Sequence, residues 1–169
     1  MKIAMTALAA ALTATLAGAA LAAGPDKDTR TLQRGKYLVK IGACNDCHTA
    51  HYMERDGKVP EAEWLTGSAM GFQGPWGTTY PVNLRLKMQT ISEEQWLKMA
   101  RTAMRPPMPW FNLAAATDAD LRAIYHYVRS LGPKGEPAPA YVAPGQPVNT
   151  PYIVFVPQNL PKQTAAATK

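Results

Sequence analysis

The chain has 169 residues, with 18 Lys and Arg against 12 Asp and Glu and hence a formal net charge of +6. We expect a chain of this length to form one domain, with room for a tail. The basic balance suits nucleic acid or an acidic protein surface, but the leader described next argues against nucleic acid, which exported proteins rarely meet. We expect an acidic protein partner, or a basic surface that is merely solvated.

Residues 1–22 are typical of a signal peptide. Lys2 gives a positive start, the run from Ile3 to Leu21 is uncharged, and Ala-Leu-Ala at 20–22 matches a small-x-small cleavage site. An uncleaved membrane anchor is the alternative, because the segment is about as long as a bilayer-spanning helix. Cleavage after Ala22, or one residue later, leaves 17 basic against 12 acidic residues and a formal charge of +5. We therefore expect a periplasmic mature protein with no membrane span.

Cys44, Cys47 and His48 form a Cys-x-x-Cys-His sequence, the signature of covalent haem attachment. Residues three apart on a helical turn face the same way, so both sulfurs can reach one edge of the ring and add to its vinyl groups. His48 then lies under the iron and offers an imidazole nitrogen as the proximal ligand. The pattern predicts one covalently attached haem c, and the sequence contains no second copy of it.

Two other interpretations of the paired cysteines are weaker. A thioredoxin-type dithiol follows a strand, whereas the residues before Cys44 have a helical pattern. A structural zinc site needs two more thiolates or imidazoles, and outside the motif the chain offers only His51 and His126. His51 is too close to His48 to reach the opposite face of a ring, and His126 falls in a helical pattern. We expect neither histidine to bind iron.

Met108 is the predicted second iron ligand. It lies in the sequence Arg-Pro-Pro-Met-Pro-Trp at 105–110, which cannot be helical and can hold a thioether at a fixed height. It also follows His48 by 60 residues, enough chain to pass around a ring. Met104 and Met88 are the alternatives, and Met53 is too close to His48.

Three stretches have the apolar spacing of amphipathic helices. The first runs from about Arg30 to the cysteines. The second begins at Ser92 with a capping box and continues at helical spacing to Met104. The third begins at Thr117 and ends at Gly132, before a proline. We expect their apolar faces to form the core.

The remaining segments have few helical signals. Between the motif and Ser92 lies a loop rich in glycine and aromatic residues, in which Trp76 and Tyr80 could cover a flat group together with Trp110. From position 133 to the end, 8 of 37 residues are proline, which is typical of an extended tail. The apolar run 152–156 has strand character and is expected to pack on the body or, alternatively, on a partner. The predicted domains are thus 23–132 and a tail at 133–169.

The attachment motif, Met108 in its Pro-rich loop and the last helix at 121–128 make residues 30–132 resemble class I c-type cytochromes. The segments 65–67 and 74–84 are similar to the haem-binding loop of the cytochrome modules that accompany bacterial membrane-associated dehydrogenases. Two features depart from those modules. Multi-haem modules carry three attachment sites whereas this chain has one, and the long tail is not part of the basic fold.

The resemblance implies an all-α cytochrome c fold, with several helices around one haem and the first and last helices crossing. At the crossing, Gly35 would allow close approach, with Tyr37 and either Tyr125 or Tyr127 packed there. It also implies that a proline carbonyl holds the proximal imidazole, with Pro75 as the candidate.

The function expected from the resemblance is that of an electron carrier and not of an enzyme. It would accept electrons from a dehydrogenase or quinol-oxidising complex and pass them to an oxidase or another cytochrome. One alternative is a haem subunit bound permanently to a dehydrogenase through the tail. Another is a haem enzyme or gas sensor whose Met ligand leaves the iron, but no catalytic constellation in the sequence favours it.

Overall fold

The structure is a computed structural model that describes residues 27–159, so the expected signal peptide lies outside the described residues. Within this range the chain forms six helices, one 3₁₀ turn and three short strands. In chain order they are α1 (Lys27–Ile41), α2 (Cys44–His48), the 3₁₀ turn (Glu61–Glu63), β1 (Gly71–Gly74), β2 (Gly77–Thr79), α3 (Leu84–Thr90), α4 (Glu93–Ala100), α5 (Trp110–Ala115), α6 (Asp118–Ser130) and β3 (Tyr152–Val154). None of the helices between 27 and 159 is long and apolar enough to cross a membrane.

The crossing of α1 and α6 organises the core, as expected. A Cβ atom on Gly35 would overlap the carbonyl oxygen of Ala123 and lie 2.6 Å from Cβ of Tyr127, so only glycine permits this approach. Tyr127 is the buried tyrosine of the crossing, at 3% exposure. Tyr37 is not buried there as expected: it is 52% exposed, and its ring lies beside the guanidinium of Arg34, which binds Asp120 of α6.

The predicted helix starts at Ser92 and Thr117 are confirmed. Ser92 Oγ accepts from the Gln95 amide at 3.2 Å, and the Gln95 side chain accepts in return from the Ser92 amide at 2.8 Å. Thr117 Oγ1 accepts from the Asp120 amide at 3.1 Å. However, α4 ends at Ala100 and does not extend to Met104.

A small sheet corrects the all-α expectation. β1 and β2 form an antiparallel hairpin, and β3, from the tail, adds parallel to β1 to give the order β2-β1-β3. The long loop after the motif is therefore largely structured, since it contains this hairpin and α3. The run 152–156 does pack on the body, because Phe155 contacts the ring of Phe72 at 5.7 Å between centroids.

A buried arginine joins α3 to the end of α6. Arg85 is only 5% exposed, and its guanidinium donates to the carbonyls of Gly132 at 2.6 Å, Ala62 at 2.8 Å and Leu131. Two of these carbonyls follow the last turn of α6, where no helical partner remains for them. Arg85 thus fixes the start of α3, immediately after the segment that contacts the haem motif.

Replacing Gly35 by alanine tests the helix crossing. Alanine would add helix propensity of about 1 kcal/mol, but its methyl group has no space against α6. We expect Gly35→Ala to lower the free energy of unfolding by about 1–3 kcal/mol in urea denaturation followed by circular dichroism. Gln33→Ala, on the exposed side of α1, should stay within about 0.5 kcal/mol of the native protein. Equal stability of the two variants would contradict the close approach.

Candidate haem site

Helix α2 carries the whole attachment motif on a single short helix. Ala43 adopts a left-handed conformation, with φ of 56°, and turns the chain from the end of α1 into α2. Cys44 and Cys47 are both partly buried and form no disulfide. Because they are three residues apart on one helix, their thiols occupy the same side of the turn. The structure therefore brings two unpaired thiols and His48 together.

His48 is buried and its orientation is fixed. His48 is 8% exposed, and its Nδ1 is 2.8 Å from the carbonyl oxygen of Val82. A carbonyl only accepts, so Nδ1 carries the proton and Nε2 keeps its lone pair. Burial lowers the pKa of His48, which favours the neutral imidazole that metals require.

The expectation that Pro75 supplies this carbonyl is wrong. Pro75 lies in the exposed turn between β1 and β2. The segment that passes beside the motif is 81–83, which is anchored by the Ser68 amide on the Pro81 carbonyl at 3.2 Å. Nearby, the Gly67 amide donates to the carbonyl of His48 itself at 2.8 Å. Val82 therefore provides the acceptor because its backbone carbonyl lies next to His48, and its side chain plays no part in this contact.

A buried series of hydrogen bonds links α2 to the segment at Leu65. Thr49 Oγ1 donates to Asn45 Oδ1 at 2.7 Å and accepts from the Leu65 amide at 2.8 Å. Asn45 and Thr49 are 1% and 2% exposed. Asn45 Nδ2 is also buried and has no hydrogen-bond partner among the described residues. This support was not predicted from the sequence, although Asn45, a polar residue between the two cysteines, could have indicated it.

The thiols differ from those of a redox dithiol. Burial raises the pKa of Cys44 to about 11 and also raises the pKa of Cys47. Dithiol oxidoreductases instead lower the pKa of their reactive cysteine to form a thiolate. Residues 27–159 also contain no cluster of three or more His, Cys, Asp or Glu side chains that could hold a metal ion. Neither the dithiol nor the zinc interpretation is supported.

Met108 lies half-buried in the loop 101–109 between α4 and α5, called here the Met108 loop. Thr79 Oγ1, at the end of β2, donates to the Pro106 carbonyl at 2.7 Å. Thr79 comes three residues before Val82, so the segment that holds His48 also holds the Met108 loop. The predicted proximal and distal ligands are thus attached to one short piece of backbone.

The other candidate ligands have different surroundings. Met88 is fully buried in the hydrophobic core, whereas Met104 is half-buried on the Met108 loop itself. His51 is exposed, and His126 lies on α6 with Nε2 2.7 Å from a carboxylate oxygen of Glu93.

The donor set fits a covalent haem. Two unpaired thiols and an imidazole with a bare Nε2 are the groups that thioether attachment and axial ligation need. Val82, whose carbonyl binds the imidazole, leaves its apolar side chain 49% exposed, and Ile41, just before the motif, is 59% exposed. Uncovered apolar side chains beside a buried imidazole suit a flat apolar ring.

Alkylation of the haem-free chain tests the thiol environment. With a pKa of about 11, Cys44 is almost entirely protonated at neutral pH, and its reactive thiolate forms only as the pH rises towards that value. We expect slow reaction of Cys44 with iodoacetamide at pH 7 and a rate that climbs steadily into the alkaline range, followed by peptide mass spectrometry. Unfolding in urea should remove the difference from a free cysteine. Rapid labelling of the folded chain at pH 7 would instead indicate a redox dithiol.

Two curated proteins are similar to this chain. The cytochrome c subunit of alcohol dehydrogenase (quinone) from Gluconacetobacter polyoxogenes is 26% identical over 134 residues, which cover 72% of this chain and 26% of that subunit. The same subunit from Komagataeibacter europaeus gives the same values. The chain therefore spans about a quarter of the length of these relatives. No family model and no solved structure matches it. The similarity supports a distant relationship to cytochrome c subunits.

Proposed function

We propose that this protein is a periplasmic, monohaem class I cytochrome c that carries single electrons and is not an enzyme. The observation that carries the proposal is the donor set of α2: two unpaired thiols three residues apart, next to an imidazole whose Nδ1 is already bound by Val82. The relationship to cytochrome c subunits supports the same conclusion. The leader at 1–22, which lies outside the described residues, is the reason to propose export.

The residues of the chain have distinct tasks in this proposal. Cys44 and Cys47 would hold the haem through two thioethers, each formed by addition of one S–H across a vinyl double bond, so no group leaves. His48 Nε2 and the Met108 sulfur would bind the iron, and Val82 keeps the imidazole in one orientation. The haem, when bound, would supply one-electron chemistry at a potential that a Met ligand raises. With both ligands supplied by the chain, the iron would have no open position for a substrate.

The charge distribution favours weak docking. Three basic residues bind carboxylates of the chain itself: Arg34 with Asp120, Lys36 with Glu61 and Arg101 with Asp118. Lys40, four residues before Cys44, is exposed. An exposed positive charge near the motif attracts an acidic donor or acceptor, and this attraction weakens as the salt concentration rises. The proposed donor is a dehydrogenase or quinol-oxidising complex, and the acceptor is an oxidase or another cytochrome.

Met108→Ala tests the ligand assignment. Removal of the thioether should abolish the far-red absorption band of the oxidised Met–iron bond, lower the reduction potential and allow carbon monoxide to bind the reduced protein. Met53→Ala removes a methionine that is 57% exposed, and it should leave all three properties unchanged. An unchanged far-red band in Met108→Ala would reject Met108 as the ligand. Carbon monoxide binding to the native reduced protein at neutral pH would favour the sensor or enzyme alternative.

A second candidate function is a permanently bound haem subunit of a dehydrogenase. The relatives are named as subunits of such a complex, which supports it. The run 152–156 supports it as well: its five residues stay 41–55% exposed although all are apolar or aromatic. No charged residue occurs between positions 137 and 161. An uncharged apolar strand at a sheet edge is the surface that another protein would cover.

Val154→Lys distinguishes the two functions. Its side chain is 55% exposed while its backbone lies in β3, so the substitution should leave the fold and the haem spectrum intact. If the protein is a bound subunit, the variant should no longer co-purify with the dehydrogenase of its host. Met53→Lys adds the same charge at a site of 57% exposure and should not affect co-purification. If neither the native protein nor a variant co-purifies, the free electron carrier remains the function. Co-purification of both variants would instead place the contact of a bound subunit outside the run 152–156.

A further inference from the structure

The tail is a structural part of the proposed haem site. We propose that residues 134–155, called here the strap, hold the Met108 loop in place, and that Tyr141 is the positioning residue through which they do so. The inference rests on the proposed function, in which Met108 is an iron ligand. It gives a role to the segment that departs from the basic cytochrome fold.

The middle of the strap is bound to the β1–β2 hairpin. The backbones of Val142 and Thr78 exchange two hydrogen bonds, at 2.8 and 3.0 Å. The strap lies so close here that a Cβ atom on Gly77, which has a φ of +95°, would overlap the Val142 carbonyl oxygen. Tyr141 adds a third bond, because its hydroxyl donates to the Trp76 carbonyl at 2.8 Å. Tyr141 is therefore fixed relative to the hairpin.

The same tyrosine contacts the Met108 loop. The Arg105 guanidinium carbon lies 4.0 Å from the centroid of the Tyr141 ring, within the range of a cation–π contact. Arg105 precedes Met108 by three residues, and the intervening Pro106 is held by Thr79 at 2.7 Å. Pro106 and Pro107 have fixed φ angles, so the position of Arg105 restricts the position of Met108. Strap and hairpin thus hold the loop at two adjacent residues.

Both ends of the strap are anchored as well. At the start, the Asn83 side-chain amide donates to the carbonyls of Lys134 at 2.7 Å and Glu136 at 3.1 Å. At the end, β3 pairs with β1, and the Tyr80 hydroxyl is 2.6 Å from Thr150 Oγ1. Asn83 directly follows Val82, which holds His48. One segment of the tail is therefore connected to the supports of both proposed axial ligands.

The physical need for such a strap follows from the ligand. A thioether is a weak neutral donor, so its bond to the iron offsets only a small loss of conformational entropy. The loop that carries it must therefore be ordered before the bond forms. The loop has no regular secondary structure, and Arg105 itself is exposed. An exposed cation–π contact changes a local opening equilibrium by roughly two- to fivefold. Loss of the contact should loosen Met108 without unfolding the protein.

The experiment compares variants of the intact haem protein by hydrogen exchange of the Trp110 amide, which donates to the Met108 carbonyl at 2.8 Å. Arg105→Ala and Tyr141→Ala should each speed exchange by roughly two- to fivefold, and the double variant should add little to the larger single effect. The reduction potential should fall in the same variants. Arg55→Ala removes the same charge at another exposed site and controls for the change in net charge.

Two further variants separate the parts of the proposal. Tyr141→Phe keeps the ring and loses only the hydroxyl, so its effect should be smaller than that of Tyr141→Ala. If Tyr141→Ala does not yield haem protein, Arg105→Ala alone decides, because its side chain is exposed. Exchange and potential in Arg105→Ala equal to those of Arg55→Ala would overturn the strap's role. If the strap's role fails in this way but Met108→Ala still loses the far-red band, the proposed function stands. If Met108→Ala keeps the band, the assignment of Met108 as the iron ligand is rejected instead.

Discussion

The hydrogen bond between His48 Nδ1 and the Val82 carbonyl, at 2.8 Å, determines what the site can bind. It consumes the only N–H of a neutral imidazole and leaves Nε2 as a fixed donor beside two free thiols. The bond exists only if the segment 81–83 passes alongside α2. Much of the fold serves that placement: the hairpin precedes the segment, Asn83 caps α3 directly after it, and Arg85 ties α3 to the end of α6.

The chain thus concentrates the supports of its proposed ligands on residues 79–83. Thr79 holds the Met108 loop, Val82 holds His48, and Asn83 holds the start of the tail. A carrier of single electrons benefits from such an arrangement, because ligands that keep their positions in both oxidation states lower the cost of reorganisation. The tail strengthens the arrangement through contacts between residues 51 to 70 positions apart in the sequence. It does not behave as an independent linker.

Sequence reasoning succeeded where short-range chemistry decides the structure. The caps at Ser92 and Thr117 depend on neighbours three residues away, and the attachment motif spans five positions, so both can be read from the local sequence. Gly35 was identified through the resemblance, and the structure gives its reason in the oxygen of Ala123. The exposure of Tyr37 could not be predicted, because helical spacing alone does not show how far α6 covers each residue of α1.

Long-range backbone contacts could not be predicted in the same way. Every residue has a carbonyl, so nothing in the sequence distinguishes Val82 from Pro75 as the partner of His48. The parallel pairing of β3 with β1 joins segments about 80 residues apart, and neither has a pattern that specifies the other. Helix α4 ends at Ala100 although the apolar helical spacing continues to Met104. A buried arginine such as Arg85 gives no local signal at all, because its partners are carbonyls at the end of another helix.

The intact mass of the mature protein tests the central claim most directly. The account predicts the mass of the polypeptide plus one haem, with the pigment retained on the chain after extraction with acidified organic solvent. A mass equal to that of the amino acids alone, or release of the pigment into the solvent, would contradict covalent attachment through Cys44 and Cys47.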